Sequence, residues 1–236
     1  MEIKRISLFA LAIVASIATF AQEASVSPSA YYTDKEGNSI ETTSIDDGEA
    51  PLTVSFMANP SDMGDWMPHF EWHFKRQSSA SNWTNLLVRY EENTEYTFSE
   101  SGTYNVVLKT TLINGTDTVE LDSVTIVVGI AESKLEFPNG FSPNGDGIND
   151  VYQAKDGYKS IVEFHAYIFN RWGQKLFEWT DVSKGWDGTY NGKDVRDGVY
   201  FVLVKARGAD GKEYDIRKDV NLLRGFSNKE GGTTTP

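Results

Sequence analysis

The chain has no cysteine, which excludes disulfide cross-links, thiolate nucleophiles and cysteine-ligated zinc or iron–sulfur centres together. Basic residues are also short, with 22 Lys and Arg against 34 Asp and Glu for a formal net charge of -12. No Lys/Arg-rich block occurs, so the cationic footprint that neutralises a phosphate backbone is missing and nucleic acid is excluded as a partner class. Helical periodicity is weak throughout. Beyond residue 21 no apolar run approaches the ~20 residues a membrane-spanning helix needs, so no transmembrane segment is expected after the N-terminal leader. The sequence lacks a Gly-x-Ser-x-Gly elbow, a P-loop, a His-Glu-x-x-His helix and a Gly-x-Gly-x-x-Gly turn. It is therefore read as a non-enzyme with no bound cofactor.

What is present is aromatic. Six Trp, eleven Tyr and thirteen Phe in 236 residues supply the bulky apolar surface of a proper core. The length suits two domains near the usual ~100 to 150 residues. At the N-terminus, Lys4 and Arg5 precede an apolar run from Ile6 to Phe20, and Thr19 and Ala21 flank Phe20. That is the layout of a cleaved secretory signal peptide over residues 1–21.

From Ser27 onward, short runs rich in Val, Ile, Thr, Tyr and Phe alternate with Gly, Asn, Asp and Ser clusters. This rhythm predicts an all-β chain of antiparallel sandwiches. Strands are expected at 52–58, 69–75, 96–99, 103–113 and 122–128, then at 164–169, 174–179, 198–206 and 214–223. In the first of them Leu52, Val54 and Phe56 alternate with Thr53 and Ser55, so one face packs and the other meets water. The polar stretch 129–135 marks a domain boundary. The expected organisation is a signal peptide at 1–21, one sandwich at 22–130, a second at 131–226 and a flexible tail at 227–236.

Two resemblances refine this. Gly48-Glu49-Ala50-Pro51-Leu52-Thr53-Val54-Ser55-Phe56, then Phe70-Glu71-Trp72-His73-Phe74, then Ser101-Gly102-Thr103-Tyr104 resemble a PKD-type immunoglobulin-like repeat. Lys75-Arg76-Gln77 stands where that family has a Gly-Asp-Gly turn. The resemblance implies a spacer or a binding module. In the second half, Phe137-Pro138-Asn139-Gly140-Phe141-Ser142-Pro143-Asn144-Gly145-Asp146-Gly147-Ile148-Asn149-Asp150 precedes Asn170-Arg171-Trp172-Gly173, Gly185-Trp186-Asp187-Gly188, Asp197-Gly198-Val199-Tyr200 and Val220-Asn221-Leu222-Leu223-Arg224. This ordered set is similar to the gliding-motility-associated C-terminal domain, the type B sorting signal of the type IX secretion system. It implies recognition by the outer-membrane secretion machinery and a secreted or cell-surface place on a gram-negative bacterium. With both resemblances the expected fold is two consecutive immunoglobulin-like antiparallel β-sandwiches.

Asn144, Asp146, Asn149 and Asp150 put four oxygen-bearing side chains in one loop, a donor set that suits calcium. The same residues are good turn formers, Ile148 breaks the EF-hand pattern, and a plain turn is the preferred reading. His69, Glu71 and His73 share one strand face, an arrangement that alternation explains without zinc. Arg171, Trp172, Gly173, Trp186, Asp187 and Gly188 form the sharpest part of the sorting motif. Both Trp rings are expected at the core or its rim, with Arg171 paired to Asp187. Trp66 and Trp83 fall in loop-like segments and, if exposed as one patch, would stack on sugar rings as an adhesin does. Surface polysaccharide or another protein is then the partner class. The triplets starting at Asp117 and Asp122 resemble Asp-Ser/Thr-apolar glycosylation sequences.

Overall fold

The computed structural model describes residues 23–225, so the predicted signal peptide and the 227–236 tail lie outside the described residues. Every regular element among the described residues is a strand, and the all-β expectation holds.

The first domain grows outward from Leu52–Met57, whose Leu52, Val54 and Phe56 are buried as their alternation predicts. Ser29–Thr33 and Thr94–Phe98 flank it, and Ser39–Thr42 closes that four-stranded sheet. The facing sheet runs in the order Ser44–Gly48, Val124–Ile130, Gly102–Asn114, Met67–Ser79, Asn82–Arg89. Phe56 joins the layers, its ring lying 5.8 Å from Trp72 and 5.6 Å from Phe74. The facing sheet extends further than expected. Met67–Ser79 continues straight through Lys75 and Arg76, which pair with Asn85 and Thr84 of the unforeseen strand Asn82–Arg89.

The second domain has one full sheet, ordered Gly140–Phe141, Glu213–Leu222, Gly198–Gly208, Ile161–Phe169, Lys175–Trp179. Its opposite layer is thin. The two-stranded ribbon Tyr152–Gln153 with Gly185–Trp186 covers the core side together with Leu135 and Phe137. Gly185 permits that ribbon, because a Cβ there would stand 2.4 Å from the Tyr152 carbonyl oxygen.

Both domains repeat one local device. Tyr104 donates its hydroxyl to the Glu100 carbonyl and Tyr200 does the same to Arg196, each at 2.7 Å and four residues back. This is the tyrosine corner of immunoglobulin-like sandwiches. In each case a glycine two residues earlier, Gly102 at φ +131 and Gly198 at φ +150, makes the bend.

The cores separate between Ile130 and Leu135, yet the domains are pinned together. Ala131 N donates to the Gly48 carbonyl at 2.8 Å, and Ser133 Oγ donates to Asp210 Oδ1 at 2.7 Å. The turn between Gly198–Gly208 and Glu213–Leu222 then reaches back, so that Ala209 is buried in the first domain's core. Ser101 N donates to the Ala209 carbonyl at 3.0 Å, Ala209 N to the Ser160 carbonyl at 2.9 Å, and Ala50 N to Ser160 Oγ at 3.2 Å. Ion pairing of Lys159 with Asp47 and a 2.7 Å bond from Lys35 Nζ to the Tyr158 carbonyl close the rim.

Candidate functional site

The sharp motifs of the second domain converge on the end of its sheet far from the first domain. Asn170 builds the hairpin there: its Oδ1 accepts from Trp172 N at 3.0 Å and Gln174 N at 3.1 Å, while Gly173 takes the positive φ of +79. Trp186 is fully buried, its ring 5.4 Å from Phe141 and 5.1 Å from Tyr200, and its Nε1 donates to the Thr189 carbonyl at 2.8 Å. Asp187 Oδ1 caps the following turn by accepting from Thr189 N and Oγ1 at 2.9 and 2.8 Å. Gly188, at φ +80, leaves room for Arg224, whose Nη2 would lie 3.0 Å from an added Cβ. Arg224 gathers the motifs: Nη2 donates to the Gly188 carbonyl at 2.8 Å, Nη1 to the Val195 carbonyl, and its backbone N to Asp197 Oδ2 at 2.9 Å.

Two expectations for this motif are corrected. Trp172 packs in no core, being 75% exposed, because it occupies the tip of a two-strand hairpin with no layer above it. Arg171 does not pair with Asp187. Asp187 is turned into its own loop, and the Arg171 guanidinium lies over the Trp172 ring at 4.2 Å, a cation–π contact open to water.

The sequence reading missed the solvent face of the sheet behind that hairpin. Phe169 stands opposite Phe201, and Tyr167 opposite Leu203, on the side away from the core residues Ile168, Val202 and Val204. Phe201 is 42% and Val199 48% exposed. Charges rim this strip. Lys175 pairs with Glu178, Lys205 and Arg217 with Asp215, and Arg207 with Glu163, while His165 stacks on Tyr167 at 4.4 Å. Shallow grooves run on both sides of Phe201, one reaching Trp172, Tyr190 and Arg196 and the other Arg217.

The loop holding Asn144, Asp146, Asn149 and Asp150 closes on itself. Asp150 Oδ1 accepts from Asn144 N and Gly145 N at 2.9 and 2.8 Å, and Oδ2 from Gly147 N at 2.8 Å. Asp146 Oδ1 accepts from Ile148 N at 2.9 Å, and Asn144 Oδ1 accepts from Asp146 N at 3.0 Å. Among the described residues no group of three or more His, Cys, Asp or Glu is placed to hold a metal ion. Amide donors, the Gly145 N–H first and the Gly147 N–H next, hold the Asp150 carboxyl below the usual carboxylate range. A depressed folded pKa adds stability above the unfolded value of ~3.9 and loses it as pH falls through the lower folded value. Asp150→Asn is therefore expected to lower the urea midpoint at pH 7. The gap to the natural chain should close as the medium is acidified below the ordinary carboxylate range, and a gap that stays constant with pH would rule this role out.

In the first domain, His73 Nε2 bonds Glu71 Oε2 at 2.8 Å while His69 stacks on Tyr90 at 6.1 Å. Trp66 is half-buried in a turn, its N donating to the Met63 carbonyl at 2.9 Å. Trp83 is not in a loop: it lies in the edge strand Asn82–Arg89 opposite Gln77 and is 37% exposed. The extended run from Trp66 to Gln77, the partner of Trp83, separates the two by roughly 36 Å at ~3.3 Å per residue, so the two rings form no common patch. Asp117 begins the exposed strand Asp117–Glu120, and Asp122 sits exposed just beyond it.

Comparison with known proteins gives one family. Residues 135–218 match the CHU_C Type IX secretion signal domain. No curated protein matches the sequence. Solved structures that are similar include the FN1–FN3 domains of chicken CNTN1, at 10% identity over 80% of this chain and 76% of that one with a TM-score of 0.23. Dimeric latent PorU from Porphyromonas gingivalis follows, at 13% identity over 86% of this chain and 20% of that one with a TM-score of 0.26. A tetra-tandem repeat in the extending region of a large adhesion protein shows 14% identity over 86% and 68% of the two chains with a TM-score of 0.25.

Proposed function

We propose that this chain, whose residues 135–218 are a type IX secretion signal domain, is a non-catalytic surface or secreted protein in which the C-terminal domain is the address and the N-terminal domain the cargo. The signal domain implies export by the type IX secretion system, recognition by its machinery and a secreted or cell-surface destination. The N-terminal domain is read as a spacer or presenting module. The observation that carries this reading is the family match, which falls on the domain whose motifs are spent on its own architecture: Trp186 in the core, Asp187 and Asn170 in turns, Arg224 as a clasp.

The test compares the intact chain in cells with and without a functional type IX exporter. Accumulation outside the first and in the periplasm of the second is expected. Equal amounts outside both would refute the assignment. Truncation at residue 135 is a poorer test, because removing Ala209 strips a buried contact from the first domain's core. A second reading, an adhesin for polysaccharide or protein, is favoured by Trp83, Leu86, Val88 and Tyr90, all exposed on or beside the edge strand Asn82–Arg89. An uncovered strand edge with apolar side chains is a natural place for another chain to add.

A further inference from the structure

We infer that the solvent face of the C-terminal sheet, centred on Phe169, Phe201 and Trp172, is where the exporter docks, and that the docking protein meets it with an apolar patch bearing carboxylates toward Arg171 and Arg196. This rests on the export reading and adds the surface and the chemistry of its partner. An apolar strip ringed by charged pairs has the anatomy of a protein interface, with an aromatic centre and a polar rim. These side chains are not needed by the core, which Ile168, Val202 and Val204 fill from the other side.

Charge narrows the partner. Lys175, Lys205, Arg207 and Arg217 each have a carboxylate. Arg171 and Arg196, which line the groove beside Trp172, have no ion-pair partner among the described residues. A chain of net charge -12 thus shows two uncompensated guanidiniums at one end of its exposed aromatic strip, and such groups steer and select an acidic counterpart. Position agrees. The junction with the first domain lies at Ser160 and Ala209, whereas Phe169 and Phe201 lie eight or nine residues further along their strands, roughly 25 Å away at ~3.3 Å per residue. The strip stays open whatever the first domain carries.

The experiment follows the full-length chain in exporter-competent and exporter-deficient cells, measuring the extracellular fraction and the unfolding midpoint of each purified variant. Phe201→Glu and the double reversal Arg171→Glu with Arg196→Glu are each expected to cut the extracellular fraction about tenfold, the effect of losing one interface hot spot, with midpoints unchanged. Val127→Glu, on the first domain and exposed to a similar degree at 39%, should leave export intact. Folded variants exported at the natural level would overturn the docking surface while leaving the export reading standing. Export of the natural chain without the exporter would instead sink that reading. Should Phe201→Glu lower the midpoint, the arginine reversal decides, since neither side chain is buried: lost export supports the surface and normal export overturns it.

Discussion

Replacing Trp186 with alanine is expected to destabilise the C-terminal domain by about 3 to 5 kcal/mol, the cost of emptying a large aromatic site in a core. Trp186 is completely buried and touches the rings of Phe141 and Tyr200. It also carries one of the few strand pairings on the thin side of the sandwich, with Tyr152 opposite. Little material stands ready to collapse into the cavity, so relaxation will recover little of the loss. Domains of this size have about 5 to 15 kcal/mol in total, and the variant should lose most of its extracellular yield along with its cooperative unfolding. Urea denaturation, followed through the remaining buried Trp179, measures the effect. Trp186→Phe, which keeps one aromatic ring but loses the indole's second ring and the 2.8 Å bond to the Thr189 carbonyl, should fall between the natural chain and the alanine variant. A loss under about 1 kcal/mol for the alanine variant would mean that the ribbon is not what holds this layer.

The second large effect is expected at Ala209, where aspartate should split one unfolding transition into two. Ala209 belongs by sequence to the second domain and by packing to the core of the first. Its carbonyl accepts from Ser101 across the junction, while its amide donates to Ser160 of its own domain, which in turn accepts from Ala50. An unpaired carboxylate buried there costs on the order of 3 to 5 kcal/mol. The turn can escape that cost by lifting out, which breaks the junction and leaves each core to melt alone. Calorimetry distinguishes the cases: a single transition at an unchanged midpoint would show that the domains are not coupled through this contact. Ala209→Gly, which adds no charge, should keep the single transition at a slightly lower temperature.

Much of the fold could be read before any coordinates, because half-buried strands announce themselves. Leu52, Val54 and Phe56 alternate with Thr53 and Ser55, and Tyr104, Val106 and Leu108 repeat the pattern. The hairpin at Asn170 and the turn at Asp187 were legible from their turn chemistry. The docking strip was not, and the reason is local. In Tyr200-Phe201-Val202-Leu203-Val204 both parities are apolar, so alternation cannot say which set faces water. Trp172 was misread for a related reason, since composition tells that a ring is large but not whether a second layer exists to cover it. Trp83 hid in a run of Asn, Thr and Leu without alternation, as edge strands exposed on both faces do. Ala209 gave no signal at all. A small residue in a Gly-Ala-Asp-Gly turn looks like any surface turn, and only tertiary proximity makes it part of a neighbour's core.

The clasp at Arg224 has a bearing on timing. It ties the far end of the Glu213–Leu222 strand, itself between Gly140–Phe141 and Gly198–Gly208, to loops made some thirty residues earlier. The domain's clasp cannot close until residue 224 is in place. A chain shortened before that point would carry every upstream motif but lack the side chain that joins the loops at Gly188, Val195 and Asp197.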